Sequence, residues 1–175
     1  MKIGIAGTHG TGKSTLSYLL ASHYKKEGKN VKIVQEVARS CPFPINERMT
    51  KEACLWIYHE HARKELEAEH KFDVVIGDRS AYDSFVYARY FNLLDNPTIQ
   101  DYEKIAFNHL RYHYDFVIFV RPDLPLQTDG TRSGNQQFQE GVDAIFSRLM
   151  KGIEHIEIKS SQIFDKEESW KRFCL

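Results

Sequence analysis

The chain has 175 residues, 42% hydrophobic and 27% charged, the balance of an ordinary globular protein with room for one well-cored domain. Its 24 basic and 24 acidic side chains cancel, which argues against a general nucleic-acid binder and leaves only a local basic groove open. Three cysteines, odd in number and without a C-x-x-C pair, argue against a disulfide framework or a zinc site and fit reduced thiols in a cytoplasmic protein.

The N-terminus opens directly on an apolar strand at residues 3–6, so no signal peptide is expected. Residues 14–27 have Leu16, Leu19, Leu20 and Tyr24 at helical spacing, and Gly28 stands where a helix C-cap belongs. Residues 31–35 read as a second strand, and two prolines make 41–44 a loop. Thr50 is placed to cap a long helix to about residue 70, with Cys54, Tyr58, Ala62 and Leu66 in one row. A third strand covers 73–77, and an aromatic-rich helix covers 80–91. Thr98 with Asp101 resembles a capping box opening a helix to about residue 113. A fourth strand at 116–120 is far too short to span a bilayer, and 122–134 is a polar loop. Phe138, Val142, Ile145, Phe146 and Leu149 mark a helix ended by Gly152. A fifth strand follows at 153–158, and Asp165 with Glu168 is placed to open a short last helix. Alternating apolar strands and helices predict an α/β fold: a parallel sheet with helices on both faces and ligands beyond the carboxyl ends of the strands.

Between the first strand and helix lies Gly7-Thr8-His9-Gly10-Thr11-Gly12-Lys13-Ser14, a match to G-x-x-x-x-G-K-[ST] in its required context. The glycines let the backbone wrap phosphate, so amide N–H groups and the positive helix end face the anion. Gly7, His9, Gly10, Thr11, Gly12, Lys13, Ser14 and Thr15 are the expected nucleotide-binding residues. Lys13 is expected to reach the β- and γ-phosphates of ATP, and the Ser14 hydroxyl to ligate Mg²⁺.

Charged residues follow the other strands: Glu36 with Arg39 after the second, Asp78-Arg79-Ser80 after the third, and Arg121 after the fourth. Asp78 is the candidate second Mg²⁺ ligand. Glu36 is the candidate to accept a proton from an attacking hydroxyl, and Arg79 and Arg121 to hold phosphate or transition-state charge. Arg132, in Asp129-Gly-Thr-Arg132-Ser-Gly134, is placed on a loop that could close over the phosphates. His59 and His61 splay apart on a helix, and His109 with His113, though four apart, lack the rest of a zinc motif. Most of Tyr82, Phe85, Tyr87, Tyr90 and Phe91 read as core, with one or two free to contact a ligand.

With these residues in view, the chain resembles the P-loop nucleoside and nucleotide kinases. Within them it is similar to the ATPase-like family that includes the ribosylnicotinamide kinase domain of the NAD-biosynthesis regulator. The matching pieces are the phosphate loop, Glu36-Val-Ala-Arg39, Asp78-Arg-Ser80 with Asp83, Asp129-Gly-Thr-Arg132, Phe138 and Val142-Asp143. Asp-Arg-Ser is also similar to motifs of deoxynucleoside and thymidylate kinases. The resemblance implies a three-layer fold with five parallel strands in the order 2-3-1-4-5 and a mobile lid. It implies one domain over residues 1–175, with acceptor-binding helices at about 43–113 and the lid at about 122–140. It also implies ATP as donor, Mg²⁺, and a nucleoside-like or nucleotide small molecule as acceptor. Two other readings stay open: an ATPase switch acting on a protein partner, and a kinase of nucleic-acid ends or modified bases. A homodimer is allowed. The segment 160–175 carries no clear adenine-recognition pattern, and the lid offers only Arg132.

Overall fold

The computed structural model describes residues 1–126, 134–165 and 169–173. Five strands form the sheet: β1 (Lys2–Ala6), β2 (Val31–Val34), β3 (Val74–Gly77), β4 (Phe116–Arg121) and β5 (Ile156–Lys159). All are parallel, in the order β2-β3-β1-β4-β5, so the expected topology holds. Ile3 pairs with Ile76 of β3 and Phe116 of β4. This register brings the carboxyl ends of β1, β2 and β3 to one edge, where the chain leaves each strand.

Among the described residues, six α-helices connect and flank the strands: α1 (Lys13–Lys26), α2 (Lys51–Glu69), α3 (Asp83–Tyr90), α4 (Pro97–Tyr112), α5 (Gln136–Met150) and α6 (Ser160–Phe164). Alternation along β1 decides which face each packs on. Ile3 and Ile5 join Leu16, Leu20 and Tyr24 of α1 and Trp170 on one face. Ala6 joins Tyr82 and Phe85 near and in α3 and Phe138 and Phe146 of α5 on the other. Both faces of the central strands are thereby dry, as an all-parallel sheet requires. Gly28, with φ 81°, ends α1 as expected. Among the described residues no helix is long and apolar enough to cross a membrane.

Several element ends differ from the sequence expectation. The third helix starts at Asp83 rather than 80, because the Ser80 amide and hydroxyl both donate to the Asp83 carboxylate and fix 80–82 as a turn. The fifth strand starts at Ile156 rather than 153, since Ile153 still donates back to Met150 at the helix end. A helix that the pattern did not show, α6, follows it directly. Asp165 accepts from the Ser169 amide and opens a 3₁₀ turn over Ser169–Phe173, while Glu168 lies outside the described residues. Along α2 the buried face runs through Cys54, Tyr58, His61, Glu65 and Ala68, and Leu66 is exposed. An i, i+4 row drifts round a helix of 3.6 residues per turn, so a row that starts buried at Cys54 leaves the core by Leu66.

α2 is capped as expected, Thr50 accepting from the Ala53 amide at 3.2 Å. α4 is not: Asn96 accepts from the Ile99 amide at 3.0 Å and Pro97 takes the first helical position, which leaves Thr98 and Asp101 inside the helix. In urea unfolding, Asn96→Ala is expected to cost about 1 kcal/mol and Thr98→Ala less than about 0.5 kcal/mol. The reverse ranking would restore the Thr98 cap.

Candidate active site

The phosphate loop owes its shape to backbone that only glycine adopts cheaply. Gly7 has φ 140°, and a Cβ there would sit 2.6 Å from the Val120 carbonyl oxygen. Gly12, with φ 81°, turns the chain into α1 and aims the first-turn amides at the loop's centre. The Thr11 hydroxyl donates to the Thr8 carbonyl at 3.1 Å and closes the turn. α5 buttresses the loop from outside: Gln139 donates to the His9 carbonyl at 2.7 Å, and the Thr8 hydroxyl donates to the Gln139 carbonyl at 3.2 Å. His9 is buried, its ring 5.0 Å from that of Phe138 and its Nδ1 3.3 Å from the Tyr87 hydroxyl. Ser14 is half-buried and Thr15 exposed at the start of α1.

Lys13 is 6% exposed, and its ammonium donates to the Thr8 carbonyl and, at 3.3 Å, to Thr11 Oγ1. Burial, with the Arg79 charge beside it, lowers its pKa from 10.5 to about 7 against the opposing pull of Asp83, Glu36 and Asp78. The charges that follow β1, β2 and β3 are thus gathered around one ammonium. Asp78 is buried, with its amide tied to the Val34 carbonyl at 2.9 Å.

Arg79 is the centre of a second group of charges beside the loop. Its φ of 131° is a backbone conformation that L side chains rarely adopt, which costs on the order of 1–3 kcal/mol unless the surroundings hold it. They do. Arg79 Nε donates to Glu36 Oε1 at 2.5 Å, Nη1 donates to Asp83 Oδ2 at 3.4 Å, and the guanidinium lies over the Tyr87 ring at 5.4 Å. Arg39 Nε takes the other Glu36 oxygen at 3.2 Å. Asp83 is pushed upward by burial and held back by Arg79, Lys13 and Ser80. Together these groups form the polar end of a cleft, open to solvent, whose apolar walls include Ala38, Ile45, Met49 and Ile57.

The structure therefore brings Lys13, Glu36, Asp78 and Arg79 together beside the glycine-rich loop. Arg121 is directed elsewhere: it makes a bidentate pair with Asp143, with Nη2 to Oδ2 at 2.8 Å, and reaches toward Glu157. Arg132 lies outside the described residues. Sequence reasoning gives no role to Gln139, treats Asp83 and Asp143 only as parts of motifs, and leaves Tyr87 among the aromatics that read as core or as ligand contacts. The i, i+4 step from Arg79 to Asp83 was the available signal for Asp83. Of the aromatics, Tyr82 and Phe85 are core, and Tyr87 lines the cleft.

A family model described as AAA domain matches residues 2–166. The chain belongs to this family of P-loop NTPases. No curated protein matches it by sequence. This AAA domain shares its fold with solved kinases. A deoxyadenosine kinase from M. mycoides, solved with dCMP and dCDP, superposes with TM-score 0.68 at 19% identity, over 99% of this chain and 96% of that one. Thymidylate kinase from Ehrlichia chaffeensis gives 0.64 at 20% identity, over 91% and 85%. The Candida albicans thymidylate kinase gives 0.64 at 19%, over 97% and 92%.

The depressed Lys13 pKa has a measurable consequence. A phosphate ligand that pairs with the ammonium returns its pKa toward 10.5, so binding takes up a proton wherever the free protein holds Lys13 neutral. The uptake is absent well below pH 7 and grows above it, and affinity falls as pH rises through that range. Calorimetric titration of ATP at about pH 8.5, in buffers of different ionisation enthalpy, is expected to show uptake approaching one proton, lost in Lys13→Met. Equal uptake in both proteins would place the proton on another group.

Proposed function

We propose that this AAA domain is a kinase that moves the γ-phosphate of ATP to a hydroxyl of a nucleoside-like small molecule. The observation that carries the reading is the cleft whose polar end, Glu36-Arg79-Asp83, lies beside His9 of the phosphate loop with the Lys13 charge close by. A hydrolytic switch needs water and no such acceptor pocket. The fold shared with a deoxyadenosine kinase and two thymidylate kinases supports a kinase and does not choose between a hydroxyl and a phosphate acceptor. Three carboxylates near Lys13, those of Glu36, Asp78 and Asp83, favour a neutral hydroxyl acceptor over an anionic one.

In this reading the loop amides and Lys13 cradle the β- and γ-phosphates. Ser14 and Asp78 offer a hydroxyl and a carboxylate, the hard oxygen donors that Mg²⁺ takes, and they would hold it. Held there, the ion would supply positive charge to offset the negative charge that develops on transfer. Glu36 accepts the acceptor's hydroxyl proton, which requires one oxygen to be released from Arg79 or Arg39 as the acceptor enters. Arg79, freed in part from Glu36, turns its charge toward the transferring group. Arg132 would close from the segment before α5. Catalysis rests on positioning and electrostatics rather than covalent chemistry.

The test is an ADP-release assay with Mg-ATP against nucleosides, ribosylnicotinamide, nucleoside monophosphates and short DNA. Acceptor-dependent release with a nucleoside, and a phosphorylated product by mass, is expected. Stimulation only by monophosphates would move the acceptor to a phosphate. Slow release that no acceptor changes would favour the ATPase switch. Lys13→Ala is expected to lower turnover by about 100-fold or more while the circular dichroism spectrum is unchanged.

A further inference from the structure

Beneath the site lies a buried charged cluster that the proposed chemistry does not use. In the β1–β3 register Gly4 stands opposite Gly77. The missing side chains leave a hollow on the sheet face below α2 and α4. The Tyr114 ring occupies it: a Cβ on Gly4 would sit 2.7 Å from that ring. A Cβ on Gly77 would sit 3.2 Å from Glu65 Oε1 and 3.4 Å from His61 Nε2. Glu65 is fully buried. His61 Nε2 lies 3.1 Å from its Oε1, and His109 Nε2 and Lys2 Nζ lie 3.2 and 3.6 Å from its Oε2. Lys2 also pairs with Glu69 at 2.6 Å.

The cluster has one outlet toward the site. The Tyr114 hydroxyl donates to Glu65 Oε1 at 2.7 Å and accepts from the Ala81 amide at 2.9 Å. Its direction is fixed. Burial, reinforced by the Glu65 charge, raises the Tyr114 pKa, so the hydroxyl keeps its proton and donates to the carboxylate. Its lone pair is then available to Ala81. Burial opposes the Glu65 charge, yet His61, His109 and Lys2 hold it below the usual carboxylate range. Ala81 follows directly on Asp78-Arg79-Ser80, the turn that carries Arg79 at φ 131°.

We infer that Tyr114, anchored by Glu65, is a positioning residue that holds the strained Asp78–Ser80 turn, and with it Arg79, in the geometry the reaction uses. A buried ion cluster is a weak source of net stability, because desolvation offsets its attraction. Here it delivers a polarised hydroxyl to a single amide behind a strained active-site turn. A turn in an unfavourable conformation persists only while its surroundings over-determine it. The Asp83 contacts to Ser80 fix the turn from the helix side, and Tyr114 fixes it from the sheet side. The inference rests on the kinase reading only for its kinetic consequence.

The test is Tyr114→Phe in the full chain, which keeps the ring in the glycine hollow and removes the hydroxyl. Amide exchange over residues 79–82 is expected to quicken by about tenfold. Acceptor-dependent kcat is expected to fall by about ten- to a hundredfold, with the KM for Mg-ATP within about twofold, because the phosphate loop is untouched. Glu65→Gln, which keeps an oxygen for Tyr114 without the charge, should show a smaller change of the same kind and serves if Tyr114→Phe does not fold. Glu69→Gln breaks the Lys2 pair outside this chain of bonds, and should lower Tm with exchange at 79–82 and kcat unchanged. If Tyr114→Phe lowers Tm but leaves exchange at 79–82 as in the wild type, the hydroxyl is only a core contact and the inference is wrong. If the wild type transfers phosphate to no acceptor, the kinase reading fails, and the exchange measurement still decides the role of Tyr114.

Discussion

Two cations, Lys13 and Arg79, lie close together at the carboxyl edge of the sheet and are largely shielded from water, which is tolerable only if anions arrive with them. The parallel topology supplies the anions. Glu36 stands two residues after β2, Asp78 directly follows β3, and α3 begins with Asp83. Each carboxylate is delivered by a different element, and the order β2-β3-β1 places those elements beside the loop that holds Lys13. The charge network is closed on itself: Glu36 uses both oxygens on arginines, and Lys13 donates to its own loop. Ligands with phosphate and hydroxyl groups would exchange these internal partners for external ones. Electrostatic catalysis benefits from such preorganised charge, because little reorganisation is left for the reacting step.

Glycines set how closely the layers meet around this network. Gly7 lets the phosphate loop press against the Val120 carbonyl, and the Gly4–Gly77 pair admits Tyr114 and Glu65 against the sheet. The first places the loop over the end of β4. The second places a charged anchor under the Asp78–Ser80 turn. α5 completes the frame through Gln139 on the loop backbone and Phe138 on His9, so the helix that follows the Arg132 segment is mechanically joined to the nucleotide side.

What could be read from the sequence was what local pattern encodes. The phosphate loop has its own spacing, and apolar runs between amphipathic helices fix a parallel sheet, so the sheet and the strand-end charges are legible, whereas the strand order follows only from the family resemblance. Pairings across elements were not. His61 and His109 were weighed only against neighbours on their own helices, whereas they meet at Glu65 from two different ones. Arg121 ends a strand as Arg79 does, and only the fold shows that Asp143 takes it. Thr98 and Asp101 had the spacing of a capping box, but Asn96 followed by Pro97 is the stronger start, because proline needs no amide partner and presets the helical φ. The strained φ of Arg79 has no signature in residue type, since such backbone usually calls for glycine.

The proposed chemistry needs Glu36 and Arg79 to act as one unit, and a double-mutant cycle on phosphoryl transfer measures that directly. Glu36→Gln, Arg79→Gln and the double variant would be compared by kcat/KM for the nucleoside that the wild type uses best. Each single change is expected to cost about 100-fold and the double little more, a coupling of about 2–3 kcal/mol. Losses that multiply, so that the double variant falls by the product of the two, would show that the two residues act independently and would contradict the proposed chemistry.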